Sequence, residues 1–165
     1  MATVYIETSI ASPATARPSS DLNIATLQMQ ARDWWRIERP KFDLVTSQLV
    51  INEASAGDPG AAADRLKLLA GVPLVPITDE VRQIAEALVG ASLMPAKAAA
   101  DALHVAAAAF ADVDFLLTQN CRHIANAHTL PRVYAILADR GYGGLLICTP
   151  VEFLGELYDD KESNS

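Results

Sequence analysis

Apolar residues along the chain follow two spacings, and their alternation predicts a repeating strand–helix order. Five short apolar runs predict strands, namely TVYI, FDLVT, VPLVPI, DFLLT and LLIC. The segments between them carry apolar residues at helical spacing. No two strands are joined by a hairpin turn, which indicates a parallel sheet covered by helices on both faces. The predicted fold class is therefore α/β, a three-layer α/β/α sandwich with a mainly parallel central sheet.

Polar residues at the expected helix starts support this order. Four of them precede helical segments as candidate N-caps, namely Asp21, Ser47, Asp58 and Thr78. Ser9 could cap the segment after the first strand, and a polar interval with Pro13 and Pro18 then leads to Asp21. Thr149, Pro150 and Glu152 form a capping box, which gives Glu152 a structural role.

Length and composition indicate one domain of ordinary size. The chain has 165 residues, of which 51% are hydrophobic, enough for a sizeable core. We expect this domain to span 1–158 and a disordered tail to span 159–165. Cys121 and Cys148 match neither a disulfide framework nor a metal-binding pair, which favours a reduced, cytoplasmic protein. No signal peptide or membrane span is predicted.

The formal net charge of -7 argues against broad binding to a phosphate backbone, which normally needs clustered lysine and arginine. It leaves open a nuclease that meets phosphate through metal ions. One short stretch is basic and surrounds Trp34 and Trp35; it carries Arg32, Arg36, Arg39 and Lys41. This stretch is either a nucleic-acid face or, as we favour, the solvated side of a helix whose tryptophans pack inward.

Four oxygen-bearing side chains are the candidates for chemistry. Asp101 lies in an alanine-rich helix, where a carboxylate needs a metal, hydrogen bonds or a cation such as Lys97 one turn earlier. Glu7 follows the first strand and Asn120 follows the fourth, so both belong to the carboxyl-terminal rim of a parallel sheet. Glu53 and Asp101 join them if their helices pass beside that rim.

Such a group suits a hard divalent cation. Mg²⁺ and Mn²⁺ prefer oxygen ligands from a few carboxylates, with the remaining positions taken by water and phosphate. A cation held in this way lowers the pKa of a bound water and offsets the charge that develops at a phosphodiester. Hydrolysis of this kind needs no serine, histidine or cysteine triad.

The motifs that carry these residues resemble those of the PIN-domain ribonucleases, and among them the VapC-type toxins of toxin–antitoxin pairs. The matching segments are VYIETSI, the glutamate of INEAS, AKAAADALHVAAA and FLLTQNCRHIAN. They occur in the family's order and cover essentially the whole chain. The resemblance implies a PIN-like fold and a Mg²⁺- or Mn²⁺-dependent endoribonuclease acting on RNA.

The resemblance also implies roles for individual residues. It makes Glu7, Glu53 and Asp101 acidic metal ligands, with Asn120 at a fourth position. The residues expected to support this catalytic site are Thr8, Ser9 and Thr118. Two positions depart from the family, which usually has aspartate at both. Glu7 adds a methylene that changes the reach of the carboxylate, whereas Asn120 keeps an oxygen ligand but removes one negative charge, which favours weaker or single-metal binding. A homodimer and a cognate antitoxin, with a basic side chain that blocks the rim, are further implications.

Other interpretations stay open at this point. His104 follows Asp101 by almost one helical turn, which suggests a ligand or a base, although a packed histidine is the favoured interpretation. The main alternative function is a weakly active or inactive PIN-like module that binds RNA or protein. A phosphatase is disfavoured because the first strand is followed by glutamate instead of a nucleophilic aspartate. A nucleotide-binding sheet would need a glycine-rich loop that is missing here.

Overall fold

The computed structural model describes residues 1–163 and confirms the α/β/α sandwich. Its five strands are β1 (Thr3–Ile6), β2 (Asp43–Ser47), β3 (Leu74–Val75), β4 (Phe115–Leu117) and β5 (Leu146–Cys148). Its eight α-helices are α1 (Thr8–Thr15), α2 (Leu22–Asp33), α3 (Gln48–Ala54), α4 (Pro59–Leu69), α5 (Asp79–Gly90), α6 (Ala99–Phe110), α7 (Leu130–Asp139) and α8 (Val151–Ser163).

All five strands pair in parallel, in the order β3-β2-β1-β4-β5. The chain moves from β1 towards one edge through β2 and β3, and then returns to place β4 on the other side of β1. The strand order thus reverses between β1 and β4, and ligands of open α/β sheets bind at the carboxyl ends of strands beside such a reversal. Ile6 lies opposite Leu117 in this pair, so the residues that follow each strand emerge side by side.

The central strands are covered on both faces. Val4, Tyr5 and Ile6 have no exposed surface, as expected for a strand between two layers of helices. Helix α6 packs against the sheet through small side chains, and alanines 106 to 108 are fully buried. Small residues let the backbone of α6 pack close to β4, and the side chain of His104 on this helix reaches Tyr5 of β1.

The polar interval after β1 contains a helix, α1, that the sequence pattern did not predict. Pro13 lies inside α1, where it removes one backbone hydrogen bond, and the helix ends two residues later. The helix that begins after Asp21 is also interrupted. Helix α2 ends at Asp33, a wider π turn spans Trp34–Glu38, and a 3₁₀ turn spans Arg39–Lys41.

The basic stretch is the solvated side of this interrupted helix. Trp34 is fully buried and stacks on Phe42 with ring centroids 6.1 Å apart. Arg36 pairs with Asp33 at 3.2 Å, and Lys41 pairs with Glu38 at 2.8 Å. The inward-packing interpretation is therefore correct for Trp34, and two of the basic side chains already have acidic partners.

Three of the four predicted N-caps form capping hydrogen bonds. The side chains of Asp21, Asp58 and Thr78 accept from backbone N–H groups in the first turns of their helices. Ser47 occupies the N-cap position of α3 without capping it, because its hydroxyl bonds to Tyr5 instead. This exception lies directly behind the candidate site.

The carboxyl-terminal end differs from the predicted tail. Glu152 Oε1 accepts from the backbone N–H of Thr149 at 3.3 Å, which is one half of the predicted capping box. Helix α8 then continues to Ser163, so residues 159–163 belong to a helix; positions 164 and 165 lie outside the described residues. Among residues 1–163, no helix has both the length and the apolar character needed to cross a membrane.

Candidate metal centre

Three ionisable side chains meet at the strand reversal. Glu7 follows β1 directly, Glu53 projects from the last turn of α3, and His104 from the first half of α6. One ligand atom from each lies within 4.8 Å of the other two. Glu7 and His104 are buried, whereas the side chain of Glu53 is 38% exposed. The group is therefore largely buried, and Glu53 is the member that is open to solvent.

Two hydroxyl groups hold the Glu7 carboxylate. Thr118 Oγ1 donates to Glu7 Oε2 at 2.8 Å, and Ser9 Oγ donates to the same oxygen at 2.5 Å. Ser9 Oγ in turn accepts from the backbone N–H of Gln119 at 2.7 Å. Both side-chain donors converge on Oε2, so Oε1 has no hydrogen-bond partner among the described residues and is free to bind a ligand.

The Glu53 carboxylate is held at both oxygens. Thr8 Oγ1 donates to Oε2 at 2.6 Å, and His104 Nε2 lies 2.7 Å from Oε1. Thr8 belongs to the first turn of α1, whereas His104 belongs to α6. These contacts join the two helices to α3 across the rim and fix the orientation of Glu53.

A chain of buried hydroxyl groups supports His104 from behind. Tyr5 Oη lies 2.9 Å from His104 Nδ1 and 2.6 Å from Ser47 Oγ. All three side chains are fully buried. Both ring nitrogens of His104 therefore have partners, and the imidazole faces the two carboxylates with a defined edge.

Proton affinities at the centre are shifted in opposite directions. Burial alone would raise the pKa of Glu53, but the hydrogen bond and the positive charge of His104 outweigh it and lower that pKa. Burial would also lower the pKa of His104, but the hydrogen bond to Glu53 and the negative charges of Glu53, Glu7 and Asp101 raise it. An imidazolium–carboxylate pair is thus favoured when no other cation is present.

Two of the predicted ligands lie outside this three-residue group. Asp101 is half-buried in the first turn of α6, near enough for its charge to act on His104. It forms no ion pair with Lys97 in the part of the chain that the structure describes. Asn120 Oδ1 accepts from the backbone N–H of His123 at 3.0 Å, which is the contact of a turn cap.

The three predicted supporting residues all donate a hydrogen bond to a carboxylate of the centre. Thr8 binds Glu53, while Ser9 and Thr118 bind Glu7. The backbone N–H of Asn120 donates to Thr118 Oγ1 at 3.0 Å, so Asn120 supports the Glu7 carboxylate indirectly. The structure thus brings together Glu7, Glu53 and their hydroxyl partners, and it adds His104 to them.

Tyr5 and Ser47 are the site residues that sequence reasoning missed. Tyr5 lies two positions before Glu7, on the same face of the strand, because side chains alternate along a strand. Ser47 ends the neighbouring strand β2, at the same rim as the end of β1. A search for polar residues at period two from Glu7, and at the ends of adjacent strands, would have found both.

The donor set of this centre fits a divalent metal ion. Two carboxylates and one imidazole are common metal ligands, and the hydroxyl groups around them supply the outer hydrogen bonds that orient such ligands. Comparisons of the chain with protein-family models, with curated proteins and with solved structures found no match. The functional argument therefore rests on the site itself.

Proposed function

We propose that the chain is a metal-dependent endoribonuclease of the PIN-domain type, acting as a VapC-type toxin. The observation that carries the proposal is the meeting of Glu7, Glu53 and His104 within 4.8 Å at the strand reversal. The PIN-like motifs of the sequence include acidic residues at the first two of these positions. A fixed cluster of metal ligands with a side open to solvent is what metal-assisted hydrolysis of a phosphodiester requires.

Within this proposal, each residue has a defined task. Glu7 and Glu53 would hold Mg²⁺ or Mn²⁺ together with His104, and the ion would supply electrostatic stabilisation of the phosphate and activation of water. Thr8, Ser9 and Thr118 keep the two carboxylates in place through the hydroxyl contacts described above. Asp101, at the edge of the cluster, is the candidate general base for the attacking water.

The bound cation also reconciles an acidic protein with an RNA substrate. The formal net charge of -7 repels a phosphate backbone at long range. A divalent ion at the rim offsets the charges of the two carboxylates and gives a phosphate oxygen a cation to bind. We therefore expect RNA binding at this rim to depend on metal.

The decisive experiment measures RNA cleavage by the purified chain with Mg²⁺, with Mn²⁺ and with a chelator. Glu53→Gln preserves side-chain volume and removes one charge, so we expect it to abolish metal-dependent cleavage. Glu86→Gln is the matched control, because Glu86 is an exposed residue of α5 outside the centre. Equal cleavage by the parent and Glu53→Gln would refute the proposal.

A second function is favoured by the ion pair between His104 and Glu53. This pair lets the cluster satisfy itself without a metal, which suits a PIN-like module that binds RNA or protein with little or no catalysis. Calorimetric titration with Mn²⁺, followed by the cleavage assay, separates the two functions. Metal binding without cleavage, in the presence of tight RNA binding, would support the binding module.

The proposal extends to partners through the family resemblance. We propose a homodimer and an antitoxin segment that places a basic side chain against the acidic rim. Light scattering at micromolar concentration tests the first point, and a monomer would contradict it. Inhibition of cleavage by a basic peptide, lost when its arginines are replaced, would support the second.

A further inference from the structure

The hydroxyl chain behind His104 reaches no solvent. Tyr5, Ser47 and His104 each have 0% exposed surface, so water has no access to reorient the two hydroxyl groups. Their directions are set only by each other and by the ring nitrogen Nδ1, at 2.6 Å and 2.9 Å. A buried network of this kind is rigid when all of its members are satisfied.

The network can select one protonated nitrogen of His104. The Tyr5 hydroxyl lies between His104 Nδ1 and Ser47 Oγ and has one proton to donate, so it donates to one of these neighbours and accepts from the other. When Nδ1–H donates to Tyr5 Oη, the Tyr5 hydroxyl donates onward to Ser47 Oγ. With Nδ1 protonated, Nε2 is the ring nitrogen that loses its proton when a metal binds, and its lone pair is then directed to the side of Glu7 and Glu53.

We propose that Tyr5 and Ser47 are positioning residues that hold His104 as a nitrogen ligand through Nε2, and that the centre therefore prefers Mn²⁺ to Mg²⁺. The inference rests on the metal site of the proposed function. Carboxylates alone accept both ions, whereas an imidazole ligand favours transition metals over Mg²⁺. The outer hydrogen bond on the second ring nitrogen is the usual device that fixes a histidine ligand.

Metal titrations test the positioning role directly. We expect Tyr5→Phe to weaken Mn²⁺ binding about 10- to 100-fold and to change Mg²⁺ binding less, so that the preference for Mn²⁺ narrows. Ser47→Ala should act in the same direction and removes less of the buried network. His104→Gln, which replaces the nitrogen ligand by an amide, should remove most of the preference.

Tyr134→Phe is the matched control. The Tyr134 hydroxyl accepts from the backbone N–H of Ile147, a residue of strand β5, at 2.8 Å, so Tyr134→Phe also removes a hydrogen bond that is partly buried. We expect Tyr134→Phe to bind both ions as the parent does. Parent-like Mn²⁺ affinity in folded Tyr5→Phe and Ser47→Ala would overturn the proposal.

Nitrogen NMR of the histidine rings supplies a readout independent of catalysis. The chain has three histidines, and His104→Gln assigns the signals of residue 104. With Zn²⁺ as a diamagnetic probe, we expect Nδ1 to stay protonated and Nε2 to shift on metal binding. A metal-induced shift at Nδ1, or none at either nitrogen, would overturn the inference.

The cleavage assay separates this inference from the proposed function. If the parent cleaves RNA while the His104 nitrogens do not respond to metal, the nuclease stands and the nitrogen ligand is wrong. If Nε2 responds and Mn²⁺ is preferred while RNA is not cleaved, the positioning role stands and the nuclease is wrong.

Discussion

His104 Nε2 and Glu53 Oε1 lie 2.7 Å apart across the gap between α6 and α3. The contact joins a buried imidazole, whose pKa is raised, to a partly exposed carboxylate, whose pKa is lowered. In the absence of metal, the proton of His104 supplies the positive charge that the two glutamates need. A proton and a metal ion therefore compete for the same place.

The first prediction concerns the stability of the metal-free protein as a function of pH. The pKa of His104 is raised above its ordinary 6.5, so its contribution is full below that value and is lost as pH rises through the folded-state pKa. The pKa of Glu53 is lowered below its ordinary 4.5, so its contribution is lost as pH falls through the folded-state pKa. We expect the pair to stabilise the fold most between these two limits.

Thermal melts in a chelator, from about pH 4 to about pH 9, measure this dependence. Deprotonation of the His104 imidazolium lowers the stability of the parent at alkaline pH, and this loss should be absent in His104→Gln. His128→Gln is the control, because the position is exposed and outside the centre. If the melting temperatures of the parent and His104→Gln depend on alkaline pH in the same way, the imidazole does not carry the stabilising proton in the folded state.

The second prediction concerns the pH dependence of metal binding. A metal that binds Nε2 must displace its proton, so Mn²⁺ affinity should rise with pH until His104 is fully deprotonated. Because the pKa of His104 is raised above its ordinary 6.5, this rise should extend above that pH. Titration calorimetry in two buffers of different ionisation enthalpy would count the proton released, and His104→Gln should release none from this position.

The fold was predictable from the sequence because its strands are continuous apolar runs between strong turn and cap signals. The cluster was predictable only in part. Both the motif and the strand end indicate Glu7, and the motif indicates Glu53 on its helix, but the identity of their neighbour depends on the rotation of α6. Asp101 and His104 lie three positions apart on that helix, and only tertiary packing decides which of them turns towards Glu53.

Two local features show why the role of Ser47 and the presence of helix α1 were not predicted. The hydroxyl of Ser47 has two competing partners, the first turn of α3 and the phenol of Tyr5, and strand pairing brings the phenol within 2.6 Å. Helix α1 forms although Pro13 lies within it. In both cases tertiary structure overrides a local preference, namely the tendency of serine to cap a helix and the tendency of proline to break one.

The third prediction separates Asp101 from the three-residue cluster. Asp101→Asn should lower metal-dependent RNA cleavage about 100-fold, the contribution of a general base, while Mn²⁺ still raises the melting temperature. Glu53→Gln should lose both effects, because it removes a ligand. If Asp101→Asn abolishes the metal-induced stabilisation as completely as Glu53→Gln does, then Asp101 is itself a ligand, as the resemblance implies.

The fourth prediction concerns Asn120, where the PIN-domain ribonucleases that the sequence resembles usually have an aspartate. Asn120 Oδ1 is already engaged by the backbone N–H of His123, and an aspartate in its place would keep that bond. The added charge should then act on the metal only through space, worth about 1 kcal/mol or about fivefold in Mn²⁺ affinity. A fourth ligand would instead give a larger gain and a steeper dependence of melting temperature on Mn²⁺.

Asn126→Asp is the matched control for this variant. Asn126 Oδ1 accepts from the backbone N–H of His128 at 2.9 Å, so it caps a turn in the same manner, further along the chain. We expect Asn126→Asp to bind Mn²⁺ as the parent does. Asn120→Ala removes the capping contact and should lower the free energy of unfolding by about 1 kcal/mol. A gain in Mn²⁺ affinity well beyond about fivefold for Asn120→Asp alone would mean that its side chain leaves the turn and binds the ion.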